Sequence, residues 1–168
     1  MTTLILTVAG ADRPGLVAAI ADVVDAHGGN WENSQLAELA GTFAGVIGVS
    51  VGPDRVDELQ RALRGLDGLL TVTVHTGSEM AVPHDRRVTL AVLGNDRPGI
   101  VRDVSRVLST HALSIDSMTT VTRDAAMAGG RLFESTVSAT APVSADLDAL
   151  RADLEQLATE IQVDITLG

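Results

Sequence analysis

Apolar residues follow two different periods along the chain. Every second position is apolar in two stretches, the pattern of a strand with one buried face: Leu4, Leu6 and Val8, and Val88, Leu90 and Val92. Each stretch leads into an Asp-Arg-Pro-Gly turn and then a stripe with helical spacing: Leu16, Val17, Ile20, Val23 and Val24, and Ile100, Val101, Val104, Val107 and Leu108. The pattern predicts a strand, a turn and a helix, twice, with Pro14 and Pro98 at the first helical position.

Three more strands and one more helix complete the predicted order in each copy. Strands are predicted at Asn30 to Glu38, Phe43 to Val51 and Leu70 to Val74, and again at Ser114 to Thr122, Arg131 to Thr140 and Ile161 to Leu167. Leucine-rich stripes predict the second helices: Val56, Leu59, Leu63 and Leu66, and Leu147, Leu150, Leu154 and Leu157. A tight turn at residues 40–42 and a longer loop at 123–130 separate the middle strands. The order is βαββαβ, twice.

The two halves are copies at an offset of 84 residues. Between Leu6–His27 and Leu90–His111, ten of 22 positions are identical, including the whole Asp-Arg-Pro-Gly tetrad. A segment rich in turn residues, with a proline and charges, lies between the copies. We therefore expect one domain at residues 1–77, a linker at 78–85 and a second domain at 86–168.

Right-handed crossovers turn each βαββαβ order into an α+β module of the ferredoxin-like kind. Each module is a four-stranded antiparallel sheet with both helices on one face. A module of about 80 residues is only marginally stable and leaves sheet edges unpaired. We expect the two modules to pair within the chain, as one continuous sheet or as two stacked sheets, and the leftover edges leave a homodimer open.

Composition and charge exclude several kinds of function. The 168 residues carry a net charge of -10, with 4 arginines against 10 acidic residues in residues 1–84 and 8 against 12 in residues 85–168. Lysine and cysteine are absent, which excludes Schiff-base chemistry, disulfides and cysteine zinc sites. An acidic chain with few aromatic residues is a poor nucleic-acid binder. No secretory signal or membrane-length apolar stretch is visible, so we expect a cytoplasmic protein without cofactor or metal.

The turn after the first strand has the chemistry needed to hold an amino acid. The first N–H groups of the following helix, on Gly15, Leu16 and Val17, point towards a ligand carboxylate, and Gly15 has no side chain to block it. Asp12 can accept a hydrogen bond from an ammonium group, and Asn30 offers both donors and an acceptor. The alternative is that Asp12 and Asp96 cap the helices and nothing binds.

Other polar and aromatic residues have simpler interpretations. Arg13 and Arg97 project from the turns and either grip an anion or pair with a nearby carboxylate. His27 and His111 end the first helices, where free carbonyls favour a structural role over a metal site. Trp31 belongs to a core or an interface.

The duplicated Gly-x-Asp-Arg-Pro-Gly turn, on a βαββαβ module, resembles the ACT domain, a regulatory module that binds small molecules. Two modules without a fused enzyme resemble the glycine cleavage system transcriptional repressor family. The resemblance implies an amino acid bound between two modules by the turn after strand one and a polar residue that opens strand two. Carried onto this chain, the binding residues are Gly10, Ala11, Asp12, Arg13, Pro14, Gly15, Leu16 and Asn30, and Gly94, Asn95, Asp96, Arg97, Gly99, Ile100 and Ser114.

The resemblance implies a non-enzymatic regulator that binds a small amino acid, with glycine as the first choice, and modulates a partner protein such as a transcriptional regulator. The residues also leave open a detached regulatory subunit of an amino-acid metabolic enzyme. A third hypothesis is an acylphosphatase-like phosphohydrolase of the same shape. Asp12 and Asp96 would repel phosphate in that enzyme.

Overall fold

The computed structural model describes residues 1–77, 85–127 and 129–168 of the chain. Contacts divide it into two compact units, residues 1–80 and 81–168, called module 1 and module 2 below. The predicted linker, residues 78–85, lies outside the described residues apart from Asp85. The predicted domain limits and the pairing of the modules stay predictions.

Module 1 has the predicted order of elements. They are β1 (Thr2–Ala11), α1 (Leu16–Ala26), β2 (Asn30–Leu39), β3 (Thr42–Val51), α2 (Val56–Arg64) and β4 (Thr71–Thr76). The sheet order is β2-β3-β1-β4, and every neighbouring pair is antiparallel. A two-residue turn at Ala40 and Gly41 joins β2 to β3.

Module 2 repeats this arrangement. Its elements are β5 (Arg86–Asn95), α3 (Ile100–Thr110), β6 (Ser114–Asp124), β7 (Arg131–Ala141), α4 (Leu147–Ile161) and β8 (Val163–Leu167). The sheet order is β6-β7-β5-β8, again antiparallel throughout. Among the described residues, no helix is both long and apolar enough to cross a membrane.

One face of each sheet carries the core. The alternate residues of β1 predicted to be buried are buried, and they join the helical stripes in one cluster: Leu4, Leu6, Val8, Leu16, Ile20, Val24, Leu59 and Leu63. Module 2 buries the equivalent set from β5, α3 and α4. Both helices therefore cover the same sheet face, and the ferredoxin-like prediction is confirmed for each module.

Five predicted element limits were wrong, each for a local reason. The helices begin at Leu16 and Ile100, two residues after Pro14 and Pro98, because Gly15 and Gly99 adopt left-handed backbone angles before each helix. Leu70 precedes β4 and donates its N–H to the Leu66 carbonyl, 2.9 Å away.

Ile161 was predicted to open the last strand but is the final residue of α4. It is buried with Leu150, Leu154 and Leu157 at helical spacing, and Gln162 then reverses the chain with φ of 56°. The loop before β7 is shorter than predicted, because Arg123 and Asp124 still pair with Leu132 and Arg131; Ala128 of that loop lies outside the described residues.

The two first helices end in the same way with different residues. After α1 the chain reverses at Gly28, with φ of 69°, as the glycine pair predicts. After α3 the equivalent position is Ala112, which adopts φ of 60° although its Cβ disfavours that region. The second helix end is therefore strained where the first is not.

Candidate functional site

The turn after β1 is open and presents free donors. Gly15 precedes α1 with φ of 92°, and Ala19 makes the first helical hydrogen bond, to the Gly15 carbonyl at 2.9 Å. The N–H groups of Leu16, Val17 and Ala18 therefore have no acceptor within the helix. A Cβ placed on Gly15 would have nothing within 4 Å, so a ligand can reach this backbone.

The alternative in which Asp12 and Asp96 cap the helices is wrong. Gly15 and Gly99 occupy the cap positions of α1 and α3, and no side chain of the described residues accepts a hydrogen bond from the first N–H groups of either helix. Asp12 and Asp96 lie three residues earlier and are exposed. Their own N–H groups donate to the carbonyls of Gly41 and Arg131, at 2.9 and 2.8 Å. The carboxylates are thus not used to start the helices.

The equivalent turn in module 2 is covered. Arg102 Nη2 lies 2.9 Å from the position of a Cβ on Gly99, and Asp103 Oδ2 lies 3.8 Å from it. Arg102 Nε donates to Asp103 Oδ1 at 2.9 Å, and Arg97 Nη2 lies 3.7 Å from Asp103 Oδ2. Module 1 has Ala18 and Ala19 at the same positions. The two turns therefore differ in their neighbouring side chains, although their Asp-Arg-Pro-Gly residues are identical.

Three arginines set the charge state of Asp103. The hydrogen bond from Arg102 holds the pKa of the Asp103 carboxyl below its usual 3.8; the charges of Arg102, Arg97 and Arg106 lower it further, against some loss of hydration. The same contact raises the pKa of the Arg102 guanidinium above its usual value. The predicted pairing of Arg97 with a carboxylate is confirmed.

Gly10 and Gly94 are required by packing. A Cβ on Gly94 would lie 2.4 Å from Val163 Cγ1 and 3.0 Å from the Val163 Cα. A Cβ on Gly10 would lie 2.9 Å from the Leu69 carbonyl oxygen. Gly10 lets the chain just before β4 approach the end of β1 closely, and Gly94 lets the first residue of β8 approach the end of β5, which explains both glycines without a ligand.

The start of strand two carries a second polar cluster. Asn30 Nδ2 donates to Glu32 Oε1 at 3.1 Å, and Ser50 Oγ donates to the same oxygen at 2.6 Å. These hydrogen bonds, chiefly that from Ser50, lower the pKa of Glu32 below 4.5. In module 2, Thr140 Oγ1 donates to Asp116 Oδ2 at 2.7 Å.

Sequence reasoning missed these two acidic residues. Glu32 and Asp116 occupy equivalent positions of the repeat, and each lies at an irregularity of its strand, between residues 31 and 33 or 115 and 117. An acidic residue two positions after the start of strand two in both copies was the available signal.

Within one module, the turn and the start of strand two lie at opposite ends of the sheet. Asn30 is opposite Ser50, and Ser50 is opposite Thr3 at the start of β1. The turn follows Ala11, eight residues further along β1, which is about 26 Å at about 3.3 Å per residue. Ser114 is separated from the second turn in the same way, through Thr140 and Arg87.

The other predicted residues fall as follows. Ala11, Arg13, Pro14, Asn95 and Arg97 are exposed, whereas Leu16 and Ile100 are buried in the cores.

The histidines and Trp31 have structural contacts. His27 Nδ1 donates to the Val23 carbonyl and His111 Nε2 to Asp153 Oδ2, both at 2.7 Å. Trp31 packs against the core of module 1. No group of three potential metal ligands occurs in the described ranges.

The duplicated fold and its turns define a class of protein. One ACT domain profile matches residues 2–77 and a second matches residues 88–156. The chain belongs to the ACT domain family, with two ACT domains in tandem.

Among its relatives, the glycine cleavage system transcriptional repressor of Escherichia coli (strain K12) is 27% identical over 161 residues, covering 94% of this chain and 85% of that protein. UPF0237 protein MK1213 of Methanopyrus kandleri is 44% identical over 69 residues, covering 37% of this chain and 76% of that protein. A crystal structure of an unknown protein from Galdieria sulphuraria has a TM-score of 0.90 and 29% identity, covering 99% of this chain and 96% of its own.

Proposed function

We propose that this chain is a non-enzymatic cytoplasmic regulator that binds a small amino acid at the first turn and changes its contact with a partner protein. The observation that carries the proposal is the open turn at Gly15. It combines helix N–H groups without an acceptor in the helix, a backbone that no side chain of the described residues covers, and an exposed carboxylate at Asp12.

The turn suits both ends of a zwitterion. The ligand carboxylate accepts hydrogen bonds from the N–H groups that open α1, where the helix dipole also favours negative charge. The ligand ammonium group pairs with the Asp12 carboxylate. The ligand carboxylate lies away from Asp12, because two carboxylates side by side would repel each other. Gly10, Ala11, Arg13, Pro14 and Leu16 shape the walls of this proposed site.

Asn30 joins the site only under one condition. Because it lies about 26 Å from the turn of its own module, a ligand that touches both groups needs the start of strand two from a second ACT module. The same holds for Ser114. For the residues of the second turn, Gly94 to Ile100, we propose at most weak binding, because Arg102 covers the backbone there.

The relatives support a choice of first ligand and partner to test. A relative named as a repressor of the glycine cleavage system makes glycine the first ligand to test and a transcriptional regulator the proposed partner. The net charge of -10 supports contact with a protein rather than with DNA. Binding can shift the partner equilibrium only by the difference in ligand affinity between the two states.

Calorimetric titration with the twenty amino acids tests the proposal. We expect saturable binding of glycine or another small amino acid to the wild-type chain. Asp12→Ala should abolish binding, and Asp96→Ala, the matched change in module 2, should retain it. Both carboxylates are exposed, so neither variant should lose its fold. No heat from any of the twenty amino acids would overturn the proposal.

A further inference from the structure

The turn between β2 and β3 of module 1 holds one residue of the candidate site. It consists of Ala40 and Gly41, with φ of 49° and 81°, and is called the hairpin turn below. Positive φ at both central residues is the pattern of a type I′ turn. The N–H of Asp12 donates to the Gly41 carbonyl at 2.9 Å. The residue proposed to pair with the ligand ammonium group is thus held by its own backbone against the hairpin turn.

Glu38 contacts the hairpin turn on its other side. Its Oε1 accepts a hydrogen bond from the Gly41 N–H at 2.6 Å. Gly41 therefore donates to Glu38 and accepts from Asp12, so a chain of hydrogen bonds joins the end of β2 to the turn after β1. Glu38, Gly41 and Asp12 are all exposed, so these contacts do not serve to satisfy groups buried in the core.

The hairpin turn needs such support because of Ala40. Its φ of 49° lies in the left-handed region, which a Cβ disfavours. Asparagine, aspartate or glycine is the usual residue at this position of a type I′ turn. Backbone in a disfavoured conformation persists where surrounding contacts hold it, and the hydrogen bond from Gly41 to Glu38 is one of these contacts.

Module 2 has the same connection, made by a different side chain. Asp96 donates its N–H to the Arg131 carbonyl at 2.8 Å, and Arg131 Nη2 donates to Thr122 Oγ1 at 2.6 Å. Thr122 is the equivalent of Glu38, because each faces a phenylalanine across the strand pair, Phe133 or Phe43. In both modules, the side chain at this position binds the residue whose carbonyl accepts the aspartate N–H. The connection recurs although the loop before β7 is longer than the hairpin turn, which argues against a chance surface contact.

We propose that Glu38 is a positioning residue of the amino-acid site. It holds Gly41, and through Gly41 it fixes the backbone of Asp12, so that the Asp12 carboxylate meets the ligand ammonium group. Binding groups have to be held to within about 0.5 Å, and hydrogen bonds behind the contacting residue commonly do this. The inference rests on the proposed function, since it concerns the same site.

Calorimetric titration with glycine tests the role of the acceptor oxygen. Glu38→Ala should weaken glycine binding about fivefold, the effect of losing one hydrogen bond. Glu38→Gln keeps an acceptor without the charge and should bind within about twofold of wild type. Thr122→Val, the matched change in module 2, should leave glycine affinity unchanged. If Glu38→Gln weakens binding as much as Glu38→Ala, the charge is what matters, and the positioning role is overturned.

A rescue variant separates positioning from direct contact with the ligand. Ala40→Asn creates Asn-Gly, the pair that type I′ turns favour, and so holds the hairpin turn without help from Glu38. Glu38→Ala, Ala40→Asn should therefore recover glycine affinity to within about twofold of wild type. Affinity that stays at the level of Glu38→Ala would show that Glu38 does not act through the hairpin turn.

Amide hydrogen exchange measures the connection without any ligand. Glu38→Ala should speed the exchange of the Asp12 N–H about fivefold, whereas the Asp96 N–H in module 2 should exchange as in wild type. An Asp12 N–H that is equally protected in both chains would refute the connection.

Two outcomes of the titration distinguish this inference from the proposed function. If the wild-type chain and Glu38→Ala bind glycine equally tightly, the positioning role of Glu38 is wrong and the amino-acid sensor stands. If the wild-type chain binds none of the twenty amino acids, the proposed function is wrong, and the positioning role is wrong with it.

Discussion

The guanidinium of Arg102 lies over Gly99, with Nη2 2.9 Å from the place of a Cβ, whereas the same place on Gly15 is empty to 4 Å. The difference arises from one pair of positions, since module 1 has Ala18 and Ala19 where module 2 has Arg102 and Asp103. Two turns that share the Asp-Arg-Pro-Gly tetrad thus differ in whether a side chain lies over the backbone.

Transplanting this cover should close the first turn. In Ala18→Arg, Ala19→Asp, the guanidinium should lie over Gly15, and the affinity for the amino acid measured by calorimetry should fall at least tenfold. Ala18→Leu, Ala19→Leu adds comparable bulk without the ion pair and is the control for helix changes. Undiminished affinity in the Arg-Asp variant would contradict the role assigned to the open backbone.

The pairing of Asp103 should be visible in its titration. Its folded pKa lies below the usual 3.8, so the carboxylate stabilises the fold above that pH, and the contribution is lost as the pH falls through the folded value. Carboxyl-carbon NMR should place the Asp103 midpoint below 3.8, and Arg102→Ala should move it upwards. A midpoint unmoved by Arg102→Ala would show that the hydrogen bond does not hold in solution.

Ala112 offers a stabilising substitution. Ala112 has left-handed backbone angles, which cost an L-residue roughly 1–2 kcal/mol and glycine almost nothing. Ala112→Gly should therefore raise the free energy of unfolding by about 1 kcal/mol. Gly28→Ala, at the equivalent end of α1, should lower it by about 1 kcal/mol. Denaturant unfolding measures the change in the free energy of unfolding for both variants. Changes of the same sign would contradict the backbone geometry at the two helix ends.

Gly94 should tolerate no side chain. Gly94→Ala places a methyl group against Val163 and should cost about 1–3 kcal/mol of stability, the usual range for an overpacked core. Gly68→Ala is the control, because a Cβ there meets nothing within 4 Å and its φ is not in the left-handed region. Equal stability of the two variants would show that β8 can move away from β5.

The fold was predictable because two kinds of signal agreed. The alternation at Leu4, Leu6 and Val8 and the helical stripe from Leu16 onwards each specify one buried face, and the repeat doubles every observation. The errors fell at element ends, where a single residue decides. Ile161 continues the helical stripe of α4, but isoleucine is also common in strands. Only its burial beside Leu157 shows that it belongs to the helix.

The site was less predictable, for a physical reason. The residues of the turn can be identified from the motif. The cover over Gly99, however, depends on the conformation of the Arg102 side chain. Asp12 has the residue type of a helix cap, and only the structure shows that Gly15 occupies the cap position. The family resemblance placed Asn30 and the turn in one binding site. The strand register shows that they lie at opposite ends of the sheet within a module.

The most direct measurement for the central claim is an amide NMR titration of the nitrogen-15-labelled chain with glycine. Saturable shifts at Leu16, Val17 and Ala18, with little change at Ile100, Val101 and Arg102, are the result expected from an open first turn and a covered second one. Saturation without shifts at the first turn, or shifts at the second turn alone, would contradict the proposed amino-acid site.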